Sequence, residues 1–155
     1  MNVAIYGRKP TKQHLADFQE IIDLIRSFGW NVILEKELKA QLVERIGLSP
    51  QTDEFESHLD FHKGIDLTLS VGGDGTFIKT VSYIRDSGVP ILGINTGRLG
   101  FLANISREQV EYTLTQVRQK KYDFQKRSLL RIKTEEDLFG EDNFALNEVT
   151  FHKKD

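Results

Sequence analysis

Strand-like and helix-like patterns alternate along residues 2–120, and this alternation constrains the fold more than any other feature. The helix-like segments have apolar residues at helical spacing, as at Leu15, Phe18, Ile22 and Ile25. The predicted strands are NVAIYG (2–7), WNVILE (30–35), DLTLSV (66–71) and PILGI (90–94), and the predicted helices cover residues 11–29, 36–47, 76–87 and 107–120. Because the connections are short, we expect an α/β fold with a doubly wound, mostly parallel sheet between two helical layers.

One segment of this region, residues 48–64, is polar and acidic, and it predicts a loop or a mobile excursion. His58 and His62 stand four residues apart, a spacing that is able to hold a metal on a helix. Acidic residues surround the pair and no third ligand is evident. We therefore predict a solvated segment and no metal site.

The pattern changes after Tyr122, where two strand-like stretches flank a predicted hairpin turn at Gly140. We therefore expect two domains, an α/β domain over residues 1–122 and a β-hairpin over residues 123–155. Two strands cannot bury a face alone, so the hairpin either packs on the first domain or begins a second, all-β domain. We predict the second arrangement, with the β-rich domain left incomplete.

Composition excludes several classes of function. The formal net charge of the 155 residues is −2, which argues against a dedicated nucleic-acid or membrane-surface binder. The absence of cysteine excludes disulfides and thiolate metal sites, and it fits a reducing cytosol. No targeting segment is visible. We expect a cytoplasmic protein that binds neither nucleic acid nor membrane.

The stretch GGDGT, residues 72–76, lies where a predicted strand gives way to a helix. Glycines there let the backbone approach a ligand, and the helix start favours phosphate. Asp74 would repel phosphate unless it held Mg²⁺ or accepted a proton from an attacking hydroxyl; the alternative is a helix cap in a tight turn. The P-loop pattern and the G-x-G-x-x-G pattern after the first strand are both absent.

GGDGT resembles the shared motif of NAD kinases and of diacylglycerol and sphingosine kinases, and it is similar to a turn of phosphofructokinases. Three further resemblances point to the NAD kinases: GINTGRLGFLANI (93–105), ALNEVTFHK (145–153), and VAIYGRKP followed by FGWNVILE. The likeness covers the whole chain in the right order. It also implies a second domain that continues beyond the Asn-Glu strand, so the chain resembles the amino-terminal portion of an NAD kinase.

The resemblance implies a role for each matched residue. Asp74 would be the base or orienting acceptor for the 2′-hydroxyl of the adenosine ribose. The predicted nucleotide-binding residues are Gly72, Gly73, Gly75 and Thr76 at the phosphates, Asn147 and Glu148 at the adenosine half, Phe101 as an apolar wall, and Arg8 and Lys9 at ATP phosphates. The last two rest on position and charge alone. The alternative for Phe101 is packing in the core. The alternative for Asn147 and Glu148 is a place on the solvent-exposed face of an edge strand.

The implied reaction transfers the γ-phosphoryl of ATP to NAD, with Mg²⁺ or another divalent cation, and yields NADP. A free aspartate has a pKa of about 3.9, so Asp74 would accept the proton late, as the O–P bond forms. Unpaired edges in the β segment predict a homo-oligomer, a dimer or a tetramer. The alternatives are a lipid or sugar kinase that shares only the glycine turn, and a truncated nucleotide-binding module without turnover.

Overall fold

A computed structural model describes residues 1–8, 10–62, 64–97, 100–146, 148–150 and 152. The chain folds into two compact units, Met1–Tyr122 and Asp123–Asp155. Within the described part of the chain, none of the helices has the length and apolar character needed to cross a membrane. The assignment of a nucleotide-binding role to the first unit, and of a longer β-rich domain to the second, stays a prediction.

Strands and helices alternate through the first unit, as the sequence patterns predict. Its strands are β1 (Asn2–Gly7), β2 (Asn31–Glu35), β3 (Asp53–Phe55), β4 (Leu67–Gly72), β5 (Ile91–Asn95) and β6 (Ile105–Ser106). Its α-helices are α1 (Lys12–Ser27), α2 (Lys36–Ile46), α3 (Asp74–Ile84) and α4 (Val110–Arg118), and short 3₁₀ helices cover His58–His62 and Arg107–Gln109. The α/β prediction is confirmed.

The six strands form one parallel sheet in the order β3-β2-β1-β4-β5-β6. From β1 the chain builds the sheet in one direction, and from β4 it builds in the other. The strand order therefore reverses between β1 and β4, where Gly7 pairs with Val71. In open sheets of this kind, the crevice beyond the carboxyl ends of two such strands is the usual place for a ligand.

Two apolar layers lie on opposite faces of the sheet. Val3 and Ile5 belong to the larger layer, with residues of α1, α2 and α4. Ala4 belongs to the smaller layer, which holds Ile84 at the end of α3 and Phe61 of the first 3₁₀ helix. Because successive strand residues point to opposite faces, β1 is buried on both sides, as a central strand of a three-layer fold should be.

The predicted loop over residues 48–64 is wrong, because this segment supplies β3 and a 3₁₀ helix. Phe55 and Phe61 are 1% and 2% exposed, with ring centroids 5.1 Å apart. Phe55 also packs on Tyr83 of α3, with centroids 5.3 Å apart. Buried aromatic rings therefore help to hold this mostly polar segment on the sheet, beside its pairing with β2.

The bounds of helix α3 and the presence of strand β6 also differ from the predictions. Helix α3 begins at Asp74 rather than two residues later, and it ends at Ile84 because Arg85 adopts a positive φ of 48°. Strand β6 has two residues and no pattern of its own in the sequence. Both differences are local and leave the sheet order unchanged.

The second unit contains β7 (Leu129–Arg131) and β8 (Phe144–Leu146), which pair antiparallel, with Leu130 opposite Ala145. The connection includes a 3₁₀ turn over Gly140–Asp142, and Gly140 has a positive φ of 49°. The predicted hairpin is confirmed, with strands shorter than the sequence pattern indicates.

Candidate active site

The segment that joins β4 to α3, residues 72–76, stands at the reversal point of the sheet and carries five of the predicted site residues. Gly72 has a φ of 156°, and a Cβ added there would overlap Oγ1 of Thr76 and lie 2.8 Å from its Cβ. The Thr76 side chain is buried, and its backbone N–H donates to the carbonyl of Gly73 at 2.9 Å. The fold itself therefore requires glycine at position 72.

Gly73 and Gly75 have no such internal reason to be glycine. Both are exposed, neither has a φ in the left-handed region, and a Cβ added at either would meet no described atom within 4 Å. Gly73 is the N-cap of α3, and Gly75 is the second residue of the helix. The first turn of α3 therefore presents bare backbone to solvent at the positive end of a helix dipole.

Asp74 lies between these two glycines, and its carboxylate does not cap its own helix. Oδ2 accepts a hydrogen bond from the backbone N–H of Phe101 at 2.9 Å. Oδ1 accepts from the N–H groups of Leu102 and Ala103, at 2.9 Å and 3.0 Å. We call Phe101–Ala103, with its three amides, the amide seat of Asp74. The cap interpretation of this residue is therefore wrong.

The amide seat changes the chemistry of Asp74. The hydrogen bonds from the backbone N–H groups of Ala103, Leu102 and Phe101 lower the pKa of the Asp74 carboxyl below its ordinary value. Hydrogen bonds to the charged form stabilise the carboxylate and weaken it as a base. Asp74 is therefore a fixed anion at neutral pH and a better hydrogen-bond acceptor than proton acceptor.

Residues of β5 contact the amide seat and support it. A Cβ added to Gly93 would lie 2.8 Å from the Cα of Ala103 and 2.9 Å from the carbonyl oxygen of Leu102. Asn95, which is 4% exposed, donates from Nδ2 to the carbonyl of Ala103 at 3.1 Å. Sequence reasoning missed both residues, although the segment 93–105 that contains them was already singled out.

Phe101 is 93% exposed, so the alternative of core packing for this side chain is wrong. Its backbone is nevertheless fixed, because its N–H is bonded to Asp74. An aromatic ring on an anchored backbone is available to a ligand at low cost in conformational entropy. A role as an apolar wall remains open to it and stays a prediction.

The other predicted residues fall in different places. Arg8 follows β1 and is exposed, and the pairing of Gly7 with Val71 brings it to the same sheet edge as the glycine turn. Glu148 belongs to the second unit, where it is exposed and its N–H donates to the carbonyl of Leu146 at 2.9 Å. Lys9 and Asn147 lie outside the described residues. A shared site for these residues stays a prediction.

The described residues contain no cluster of metal-ligating side chains. No group of three or more histidine, aspartate or glutamate side chains that could hold a metal occurs among them. The Asp74 carboxylate, the candidate ligand in the glycine turn, already accepts three hydrogen bonds. A divalent cation here would therefore need ligands besides this carboxylate, and Mg²⁺ is commonly held by few carboxylates and by substrate phosphates.

Comparison with known proteins identifies relatives of the chain. The family described as ATP-NAD kinase N-terminal domain matches residues 3–122. The NAD kinase of Flavobacterium psychrophilum is 36% identical over 157 aligned residues, which include 100% of this chain and 53% of that protein. The NAD kinase of Bacteroides fragilis is 33% identical over 155 residues, again with 53% of that protein covered. The chain thus spans about half the length of these relatives.

A solved structure is similar to the fold. The crystal structure of yeast NADH kinase complexed with NADH superimposes with a TM-score of 0.70, covers 84% of this chain and is 23% identical in sequence. The match extends over 41% of the yeast chain. At this identity the similarity supports the architecture alone.

Proposed function

The chain belongs to the ATP-NAD kinase family through its N-terminal domain, and we propose that it contributes the phosphoryl-transfer site of an NAD kinase. The reaction would transfer the γ-phosphoryl of ATP to the 2′-hydroxyl of the adenosine ribose of NAD, giving NADP and ADP. The observation that carries this proposal is the bare first turn of α3, at Gly73 and Gly75, beside a fixed carboxylate.

The bare turn is suited to phosphate. Backbone N–H groups in the first turn of a helix lack intrahelical partners, and the helix dipole adds positive potential there. Gly73 and Gly75 leave room for an anion to approach these groups closely. Arg8, at the same edge of the sheet, would add a full positive charge, and Lys9 is proposed for the same task. Mg²⁺ would arrive with ATP, bound to its phosphates.

Asp74 would orient the acceptor hydroxyl. An ionised carboxylate has about four acceptor positions. Among the described donors, two occupy Oδ1 and one occupies Oδ2, so Oδ2 keeps one position for the 2′-hydroxyl. The hydroxyl oxygen forms a bond to the γ-phosphorus as the bond to ADP breaks, and the hydroxyl proton leaves late, along this hydrogen bond.

The remaining assignments complete the proposal. Phe101 would pack against the dinucleotide, and Asn147 and Glu148 of the second unit would bind its adenosine half. Thr76 would support the phosphate site from beneath Gly72, because its side chain is buried there and its backbone N–H is donated to the carbonyl of Gly73. We further propose that the protein is cytoplasmic. We also propose a homo-oligomer, a dimer or a tetramer, because among the described strands β7 and β8 pair only with each other and each leaves one edge unpaired.

The test is NADP formation by this chain with NAD, ATP and Mg²⁺. We expect Asp74→Asn to reduce turnover by roughly 10²–10⁴-fold, the usual contribution of a positioned acid–base group. Asp86→Asn is the matched control, since Asp86 is an exposed aspartate just beyond the opposite end of α3. It should leave turnover unchanged. Circular dichroism of each variant would verify that the fold is retained.

Three outcomes separate the alternatives. Near-normal turnover by Asp74→Asn would contradict the role of Asp74. Binding of NAD or ATP without any product would favour a nucleotide-binding module without turnover. In that case the same assay on a fusion with the second half of the Flavobacterium psychrophilum relative becomes decisive, because a fusion that also makes no NADP would rule out the NAD kinase proposal.

A further inference from the structure

Gly100 lies just before the amide seat, and the Asp74 carboxylate occupies the space that a side chain at this position would need. Its φ is outside the left-handed region, so the backbone does not require glycine. A Cβ added to Gly100 would overlap Oδ1 of Asp74 and lie 2.6 Å from its Cγ. The three nearest atoms all belong to the Asp74 carboxylate. The space that a side chain would occupy at position 100 is therefore filled by that carboxylate.

We propose that Gly100 is a positioning residue for Asp74: glycine at this position leaves the space in which the carboxylate reaches the amide seat. Gly100 acts through Asp74 and touches no substrate itself. What the positioned carboxylate then does rests on the proposed function. The positioning itself rests on the hydrogen bonds and the filled space, and it holds for any chemistry at the site.

The amide seat cannot easily move away to relieve the overlap. Ala103 rests directly on Gly93, and its carbonyl accepts hydrogen bonds from Asn95 and from the backbone N–H of Gly100, the latter at 3.3 Å. These contacts hold the segment from the side of β5. A methyl group at position 100 would therefore displace the Asp74 side chain and break its hydrogen bonds to the seat.

A double-mutant cycle tests this coupling. The variants are Gly100→Ala, Asp74→Ala and the two combined, with Gly97→Ala as the matched control. Gly97 is an exposed neighbour with φ outside the left-handed region, and the nearest atom to an added Cβ is 3.9 Å away. The readouts are the urea midpoint of unfolding and the hydrogen-exchange rates of the three seat amides.

In the parent chain, Gly100→Ala should lower the urea midpoint and accelerate exchange of the seat amides by about tenfold or more, because hydrogen bonds to a charged group are lost. Gly97→Ala should change neither. In the Asp74→Ala background, the same Gly100→Ala change should have almost no further effect, since the atoms it would strike are gone. If Gly100→Ala alone does not fold, the combined variant should restore folding.

An equal loss from Gly100→Ala in both backgrounds, or a combined variant that also fails to fold, would overturn the proposal. NAD binding, measured by calorimetry on the same variants, separates this inference from the proposed function. Coupling without NAD binding to any variant would support the positioning role and contradict the nucleotide role. NAD binding without coupling would contradict the positioning role alone.

Discussion

Replacement of Gly75 by alanine separates what the glycine turn does for the fold from what it does for a ligand. Gly75 is the second residue of α3, its φ is outside the left-handed region, and an added Cβ would meet no described atom within 4 Å. Alanine in place of a compatible helical glycine stabilises by about 0.4–1 kcal/mol. We therefore expect Gly75→Ala to raise the free energy of unfolding by about 0.5 kcal/mol.

The same methyl group should weaken ATP binding, because it would project onto the surface where phosphate is proposed to approach the backbone. Loss of one hydrogen bond between a charged phosphate and an N–H group corresponds to about 1.5–3 kcal/mol, or roughly 10- to 150-fold in affinity. Gly75→Ala is thus expected to be more stable and to bind ATP more weakly, a combination that simple misfolding cannot produce.

Gly72→Ala provides the matched comparison from the same turn. Its Cβ would overlap Oγ1 of Thr76, and its φ of 156° is unfavourable for alanine. Overpacking and backbone strain each cost at least about 1 kcal/mol, so we expect a loss of at least about 2 kcal/mol in the free energy of unfolding. Two alanines three residues apart should therefore shift stability in opposite directions.

Urea unfolding followed by tryptophan fluorescence measures both variants, since Trp30 is the one tryptophan in the chain and packs on Phe28 with ring centroids 5.2 Å apart. Calorimetry with ATP measures binding. A Gly75→Ala variant as unstable as Gly72→Ala would refute the description of position 75 as open. Unchanged ATP affinity in a stable Gly75→Ala variant would refute the placement of phosphate at this turn.

Two further predictions follow from the packing and from the carboxylate. Phe55→Ala should lower the free energy of unfolding by about 3–5 kcal/mol. Leu59→Ala is the control: the Leu59 side chain is 61% exposed, so the free energy of unfolding should change by less than about 0.5 kcal/mol. Equally small losses for the two variants in urea unfolding would contradict a structural role for β3. Folding lowers the pKa of Asp74 below the value of about 3.9 that it has in the unfolded chain. The hydrogen bonds from the amide seat should therefore be fully present at any pH above that unfolded-state pKa. They should be lost as the pH falls through the lower pKa of the folded state. The amide NMR chemical shifts of residues 101–103, recorded as a function of pH, measure this loss. The Asp74→Asn variant should show no such transition. A transition midpoint above about pH 4 would contradict the lowered pKa of Asp74.

The regular elements could be predicted because their signals are local. Helix α1 combines an apolar stripe with Thr11 at its N-cap position and a positive φ of 73° at Gly29 beyond its end. Strand β3 offered no comparable signal, since it has three residues, pairs in the sheet only with β2, and buries one side chain, Phe55. Its formation depends on pairing with β2 and on packing against Tyr83 of α3, both distant in sequence, which a local pattern cannot contain.

The candidate site also has one part that the sequence could predict and one part that it could not. The position of the glycine turn at a strand end follows from strand order and helix starts, and the sequence predicted it. The pairing of Asp74 with the amide seat could not be predicted, because it spans 27 to 29 residues and depends on how closely the backbone approaches β5. The available signal was Gly93, a glycine inside an apolar strand, which commonly marks such an approach.

The central place of β1 has a consequence for the order of folding. β1 pairs on one side with β2, at Asn31 and beyond, but its other neighbour β4 begins only at Leu67. At a synthesis rate of about 5–20 residues per second, β4 would follow β1 from the ribosome after roughly 3–13 s. Through that interval an apolar strand has one unpaired edge, a template for pairing with other chains. The aggregation risk of this fold is therefore concentrated early in synthesis, before the glycine turn that follows β4 has been made.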